Sequence, residues 1–132
     1  MNEITDSMGQ YKIMYTTDDG YAFSLTAENH EIIATSQVYR SMDSLKNGIE
    51  SVQKNADAPI EDQTVKDFEP VTCPKWEVFT DKADEFRFRL KASNGEIILA
   101  ASQGYTQKHN ALKGIESVRN NINSEIVKPV RD

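Results

Sequence analysis

The chain has 132 residues, 38% of them hydrophobic and 27% charged, a composition of one or two small globular domains that excludes a collagen, a coiled coil or a disulfide scaffold. Its 15 Lys and Arg against 21 Asp and Glu give a formal net charge of -6, so no molecule-wide positive field draws it to nucleic acid or an anionic membrane. No apolar run nears the roughly 20 residues of a bilayer-spanning helix, MNEITDSMGQ lacks the basic and apolar regions of a signal peptide, and Cys73 has no second cysteine for a disulfide or a CxxC metal site.

In chain order, Tyr11 to Thr16 is rich in aromatic and β-branched residues and predicts a strand. Thr17-Asp18-Asp19-Gly20 supplies a turn. Tyr21, Phe23, Leu25 and Ala27 then alternate with the uncharged Ala22, Ser24 and Thr26, the period of a second strand. Asn29-His30 makes the next turn, and Glu31 to Thr35 the third strand of an antiparallel meander. At Met42, Leu45, Ile49 and Val52 the period changes to helical, with Ser41 placed to cap the helix. Gly48 sits inside the apolar stripe, where it costs about 1 kcal/mol relative to Ala and implies close approach of helix to sheet. A polar exit through Pro59 leads to a short strand over Ile60 to Val65, and Pro59 argues for a sheet edge. Lys66 to Lys75 reads as a connector.

The second half repeats the first. Trp76 to Thr80 predicts a strand, Asp81 to Glu85 a turn, and Phe86, Phe88, Leu90 and Ala92 alternate with Arg87, Arg89 and Lys91. Asn94-Gly95 is the strongest hairpin signal in the chain and predicts a type I′ turn. Glu96 to Ala100 follows as a strand, then a helix through Ala111 or Leu112, Ile115, Val118 and Ile122, with Thr106 as its N-cap and Gly114 in its stripe. A last strand is expected over Glu125 to Val130, with Pro129 again marking an edge or a strand end. Gly48-Ile49-Glu50-Ser51-Val52 recurs as Gly114-Ile115-Glu116-Ser117-Val118, and Asn29 matches Asn94, Ser36 matches Ser102 and Tyr39 matches Tyr105. The chain is therefore a duplication. Ile33 and Ile98 are 65 residues apart but Ser36 and Ser102 are 66 apart, so copy two has one extra residue, for which a bulge is expected near Leu99-Ala100.

A lone repeat of about 50 residues has too thin a core to stand alone. Two repeats, about 11–65 and about 76–130, are expected to share one α+β domain spanning 1–132, with pseudo-twofold symmetry and both helices on one face of a single sheet.

The motifs FRFRLKASNGEIILAASQGY and GIESVRNN resemble the repeat signature of the DUF1508, or YegP-like (UPF0339), family of small bacterial proteins. The likeness spans Tyr11 to Asn55 and Trp76 to Asn121. It implies two β-β-β-α-β units on a single antiparallel sheet, the last strand of each unit exchanged into the other half. Copy one departs from the pattern at His30, Val38 and Asn47, which stand where Gly95, Gly104 and Lys113 do. The family supplies no catalytic residues to carry over.

Phosphate-binding, zinc-protease and EF-hand motifs are absent from the sequence. His30 reads as a turn residue and His109 as a polar helix residue, Cys73 as a connector thiol. Glu31 and Glu96 begin the third strands, where they would pair across the hairpin with Thr26 or Lys91; Glu50 and Glu116 flank the helical stripes. These duplicated carboxylates offer an acid/base pair, but the structural reading is preferred. The sharpest candidate is Arg87, Arg89 and Lys91, one row about 7 Å apart on a strand face, fit for phosphates, a small anion or an acidic partner. The alternative for that row is a set of ion pairs with Glu77 and Glu96. Asn94, Gly95, Gly48, Gly114, Tyr39 and Tyr105 are read as a structural signature, the tyrosines capping the core edge. The sequence thus points to a non-enzymatic binding protein without cofactor or metal, cytoplasmic and monomeric, whose partner is a protein or a small anion. A nucleic acid is disfavoured by the charge, a membrane is not expected, and a hydrolase using the duplicated carboxylates is a distant third.

Overall fold

The computed structural model describes residues 9–128. Its elements in order are β1 (Gln10–Tyr15), β2 (Tyr21–Thr26), β3 (Ile32–Thr35), α1 (Met42–Asn55), β4 (Ile60–Asp62), β5 (Lys75–Thr80), β6 (Phe86–Lys91), β7 (Ile97–Ala101), α2 (Lys108–Asn121) and β8 (Glu125–Val127). The strands form one sheet of order β4-β5-β6-β7-β3-β2-β1-β8. Each repeat supplies an antiparallel meander, and the meanders meet where β3 runs antiparallel to β7, Ala34 opposite Ala101 and Thr35 opposite Ala100. The strand after each helix crosses to the other repeat, β4 onto β5 and β8 onto β1. Both of these edge pairings are parallel, so the six meander strands are antiparallel as expected and the whole sheet is mixed. Parallel neighbours need a crossover of about a dozen residues; 63–74 provides it between β4 and β5.

Both edge strands are shorter than the sequence suggests. The Asp62 carboxylate accepts hydrogen bonds from the Thr64 N–H at 2.9 Å and the Thr64 hydroxyl at 2.5 Å, an Asx turn that ends β4 three residues before Val65. Pro129 and Val130 lie outside the described residues.

The alternating apolar sets pack under the helices. Tyr11, Phe23, Leu25, Trp76, Phe88 and Leu90 meet Leu45, Ile49, Val52, Ala111, Ile115 and Val118 in one core, all buried. Burying each large apolar side chain contributes about 1.5–3 kcal/mol. Helix glycines allow the approach the sequence implied. A Cβ on Gly48 would collide with the Tyr39 hydroxyl, and one on Gly114 would lie 2.6 Å from the Phe88 ring.

The halves are also fastened at the helix ends. Tyr11 of β1 donates its hydroxyl to the Ile122 carbonyl that closes α2 (2.7 Å), and Trp76 of β5 donates its indole N–H to the Ala56 carbonyl that closes α1 (2.8 Å). From the neighbouring helix, Gln53 donates to the Ile122 carbonyl and Arg119 to that of Ala56. Each C-terminal carbonyl, an orphan acceptor in an isolated helix, is thus satisfied by the other repeat.

Three local expectations are corrected. The Asn94-Gly95 hairpin is not type I′: the Gly95 N–H donates to the Ala92 carbonyl, and of the two central residues only Gly95 has positive φ (86°). This is a type I turn followed by one left-handed residue. All four hairpins share that design, with Asp19, His30, Asp84 and Gly95 in the left-handed position. Second, the register shift opposite Ile97 to Leu99 has a twin opposite Ile32 to Ala34, so the bulge belongs to both copies. The extra residue of copy two lengthens β7 to Ala101 instead. Third, Ser41 caps α1 by accepting from the Ser44 N–H at 3.0 Å, whereas α2 begins after Gln107, without a side-chain cap, and not at Thr106.

Candidate functional site

Alternation along β6 places Arg87, Arg89 and Lys91 on the sheet face away from the helices, because Phe88 and Leu90 fill the core. Each cation in the row has a carboxylate. Arg87 pairs with Asp81 at 2.7 Å, Arg89 with Glu77 at 2.5 Å, and Lys91 with Glu77 at 3.1 Å. The Arg89 guanidinium also lies over the Phe79 ring, 4.2 Å from its centre, a cation–π contact. Glu77 is thus a partner as expected; the second anion is Asp81, not Glu96, since the hairpin carries Glu96 past Lys91, which faces Ile97. Glu31 likewise faces no Thr26 side chain, because Thr26 pairs with Ile32.

The network continues across the edge of the sheet. Lys75 bridges Glu77 at 3.1 Å and Glu61 of β4 at 2.7 Å, and Glu61 also accepts from Gln63 and from the Val71 N–H. Glu61 and Glu77 are buried. Burial works to raise the Glu61 carboxyl, but the hydrogen bonds from Gln63, Lys75 and Val71 and the Lys75 charge prevail, holding it at about 2. Burial opposes ionisation of Glu77 as well; its bonds to Arg89, Lys75 and Lys91 hold it below the ordinary carboxylate range. Sequence reading missed Glu61 and Lys75 because the pairing of β4 with β5 brings together residues 14 apart through a crossover.

The same face in the first half has a different chemistry. Ala22, Ser24 and Thr26 occupy the positions of Arg87, Arg89 and Lys91; Met14 stands exposed beside Ala22 at 39% and Ile32 beside Thr26 at 47%, with Lys12 opposite Ser24, while Ile97 of β7, 39% exposed, lies beside Lys91. Near the β3–β7 seam a hollow of about 510 Å³ is lined by Thr35, Ser36, Gln37, Glu96, Ile97 and Ala100.

On the helix side, two clefts are related by the pseudo-twofold. One of about 380 Å³ lies between Glu50, Ser51 and Lys54 of α1 and the Ser93-Asn94 turn; the other, of about 360 Å³, lies between Glu116, Ser117 and Asn120 of α2 and Ala27-Glu28. Glu50 and Glu116 are exposed and belong to different clefts, and Glu116 pairs with Arg119 at 3.0 Å, so the structure does not assemble an acid/base pair from them. His30 and His109 are exposed, and Cys73 is partly exposed in the crossover. Among the described residues no three His, Cys, Asp or Glu side chains gather as a metal site, and no helix is long and apolar enough to cross a membrane.

Tyr39 and Tyr105 serve the frame. Each exchanges two backbone hydrogen bonds with the first residue of the second strand, Tyr21 or Phe86. Tyr39 stacks on Phe23 with ring centres 6.3 Å apart, and its hydroxyl is buried against Gly48 without a hydrogen-bond partner. Burial pushes the Tyr39 phenol up. Val38 in place of a glycine is explained by compensation: a Cβ on Gly20 would be 2.5 Å from Val38, and one on Gly104 would meet Glu85, so each copy keeps one large and one small residue at this contact.

A duplicated β-β-β-α-β unit with exchanged edge strands defines the class of protein. The family model of a domain of unknown function, DUF1508, matches residues 17–62 and 81–128, and the chain belongs to that family. A UPF0339 protein of Acinetobacter baylyi is 39% identical over 120 residues, covering 91% of this chain and 95% of its own. A UPF0339 protein of Agrobacterium fabrum is 57% identical over 47 residues, 36% of this chain but 74% of that one. The solution structure of yegP from E. coli, described as a protein of unknown function, superposes with a TM-score of 0.75 at 28% identity, covering 95% of this chain and 96% of that one.

Proposed function

We propose that the protein is a small non-enzymatic interaction module that recognises another protein through the outer sheet face of its first half and the adjoining β3–β7 seam. One observation carries this reading: Ala22, Ser24 and Thr26 leave β2 without charge, with Met14 and Ile32 exposed toward its two ends, on a face that in the second half is filled by paired charges and crossed by the connector. Apolar groups left exposed on an open sheet face are one mark of a protein contact. The anion-binding reading is weaker, because Arg87, Arg89 and Lys91 already have carboxylate partners, and its signature would be strongly salt-dependent retention on heparin.

The test is quantitative capture from native lysate with the unaltered chain, an Ile32→Ser, Ile97→Ser variant and an Arg87→Ser, Arg89→Ser variant. A protein retained by the first and third baits and lost from the second supports the apolar face. Loss from the arginine variant alone, with heparin retention by the unaltered chain, would transfer the function to the basic row. Equal recovery with all three baits would sink both.

A further inference from the structure

We propose that the surface joining the two repeats is a docking surface open to a second copy of this chain, with which it exchanges whole repeats in a reciprocal dimer. Every bond across that surface links repeat one to repeat two and none depends on which molecule supplies the partner. The β3–β7 pairing, the crossing of β4 and β8, and the Tyr11 and Trp76 bonds to the helix ends would form unchanged between two molecules. Only the crossover 63–74 makes the assembly intramolecular. The short Agrobacterium relative points the same way: its 47 aligned residues are 74% of it, so it is about 64 residues long, room for one repeat, which can complete such a sheet only with another chain.

Charge at the surface directs the pairing. Lys108 at the start of α2 reaches Asp62 of β4 at 2.8 Å and the Thr64 hydroxyl at 3.2 Å, and Lys75 of β5 reaches Glu61 of β4 at 2.7 Å. The register puts Val127 and Lys128 in the places of Glu61 and Asp62. Two second repeats would therefore set Lys108 against Lys128 and leave Lys75 without Glu61. The exchange is thus reciprocal, repeat one of each molecule taking repeat two of the other. The tether normally favours the internal pairing, since a short linker gives an effective concentration in the millimolar range, and shortening such a hinge favours exchange between molecules.

The experiment uses the full chain with Thr64 to Thr72 deleted. The three connector residues that remain make four links that span at most about 14 Å, whereas the parallel register puts Lys75 about 10 Å back along the strands from Asp62 and about 4.8 Å across, so the fully extended link has only about 3 Å to spare and cannot arch over the sheet face. Light scattering should show the mass doubled and circular dichroism an unchanged fold. In the same deletion, chains carrying Asp62→Lys and chains carrying Lys108→Glu are then refolded together. Exchange heals both interfaces only in the mixed dimer, which native mass spectrometry should find enriched about fivefold or more over random pairing. Because the deletion removes the Val71 bond to Glu61, the unaltered chain is also refolded at millimolar concentration, where a dimer fraction is expected that is absent after refolding at micromolar concentration. The proposal is overturned if the unaltered chain gives only monomer at both concentrations, if the deleted chain folds as a monomer, or if the charge-altered chains pair at random.

Discussion

At the scale of single residues, the two repeats show which positions the fold fixes. Gly48 and Gly114 lie in helices, where alanine would gain about 1 kcal/mol of propensity, yet a Cβ at either site overlaps an aromatic ring system beneath it. Overpacking of this kind costs about 1–3 kcal/mol. Gly114→Ala should therefore lower the urea midpoint, the Phe88 ring being held in the core; a rise would show that the ring yields easily. His30 is the converse case. It holds φ at 71° in the position Gly95 fills at 86°, and a left-handed conformation costs a non-glycine residue about 1 kcal/mol or more. His30→Gly should stabilise the chain by roughly 0.5 kcal/mol after the larger backbone entropy of glycine in the unfolded state is set against that gain. Calorimetry would show a small rise in Tm, and a fall would mean that His30 makes contacts worth more than its backbone strain.

At the scale of elements, the helices were legible from their stripes and the strands from their alternation, while their ends depended on chemistry that spacing does not carry. The Ser41 hydroxyl accepts from the Ser44 N–H, but the side chain of Gln107, at the same place before α2, makes no cap bond. Substituting Ser41 by Ala should cost about 1 kcal/mol, and Gln107→Ser should add about 0.5–1 kcal/mol. Equilibrium denaturation of the two variants checks both signs. The extra residue of copy two was visible in the spacing but its consequence was not. An inserted residue calls for a bulge if side chains are to keep their faces; one exists in both copies, at Ile33 and Ile98, and the added residue is taken up where β7 ends. Turn type, too, depends on more than the dipeptide. Asn-Gly favours type I′ in isolation, yet here Asn94 accepts from the Glu96 N–H through its side chain, which fits a type I turn with a left-handed residue after it.

At the scale of the whole molecule, the charged face ties the crossover to the sheet. Glu61 is held at about 2 against an ordinary 4.5, and Glu77 is also held low. A carboxyl whose value is depressed in the folded state contributes stability that is full above its unfolded value and is lost as pH falls through the folded one. Stability should thus decline between about pH 4.5 and about pH 2, and Glu61→Gln should flatten that decline while lowering stability near neutral pH by roughly 2 kcal/mol, since Lys75 loses one of its two anions. Urea midpoints measured across that range test it; an identical pH slope in the variant would exclude Glu61 as the source.

The sequence by itself determined the duplication, the family, the order of strands and helices within each repeat and the split of each strand into core and outer sets, because these rest on periods of 2 and 3.6 and on repeated words that survive in one dimension. It also placed Arg87, Arg89 and Lys91 on one outer face. Tertiary structure alone decided what that row does. The Glu77 and Asp81 carboxylates that engage it, the buried Glu61 and its partner Lys75 beyond it, and the exposed Met14 and Ile32 across the seam are set by which strands lie side by side. Neighbourhood in a sheet depends on register and crossover between distant segments, and the charge or burial of a side chain there is fixed by those neighbours and not by the residues beside it in the chain.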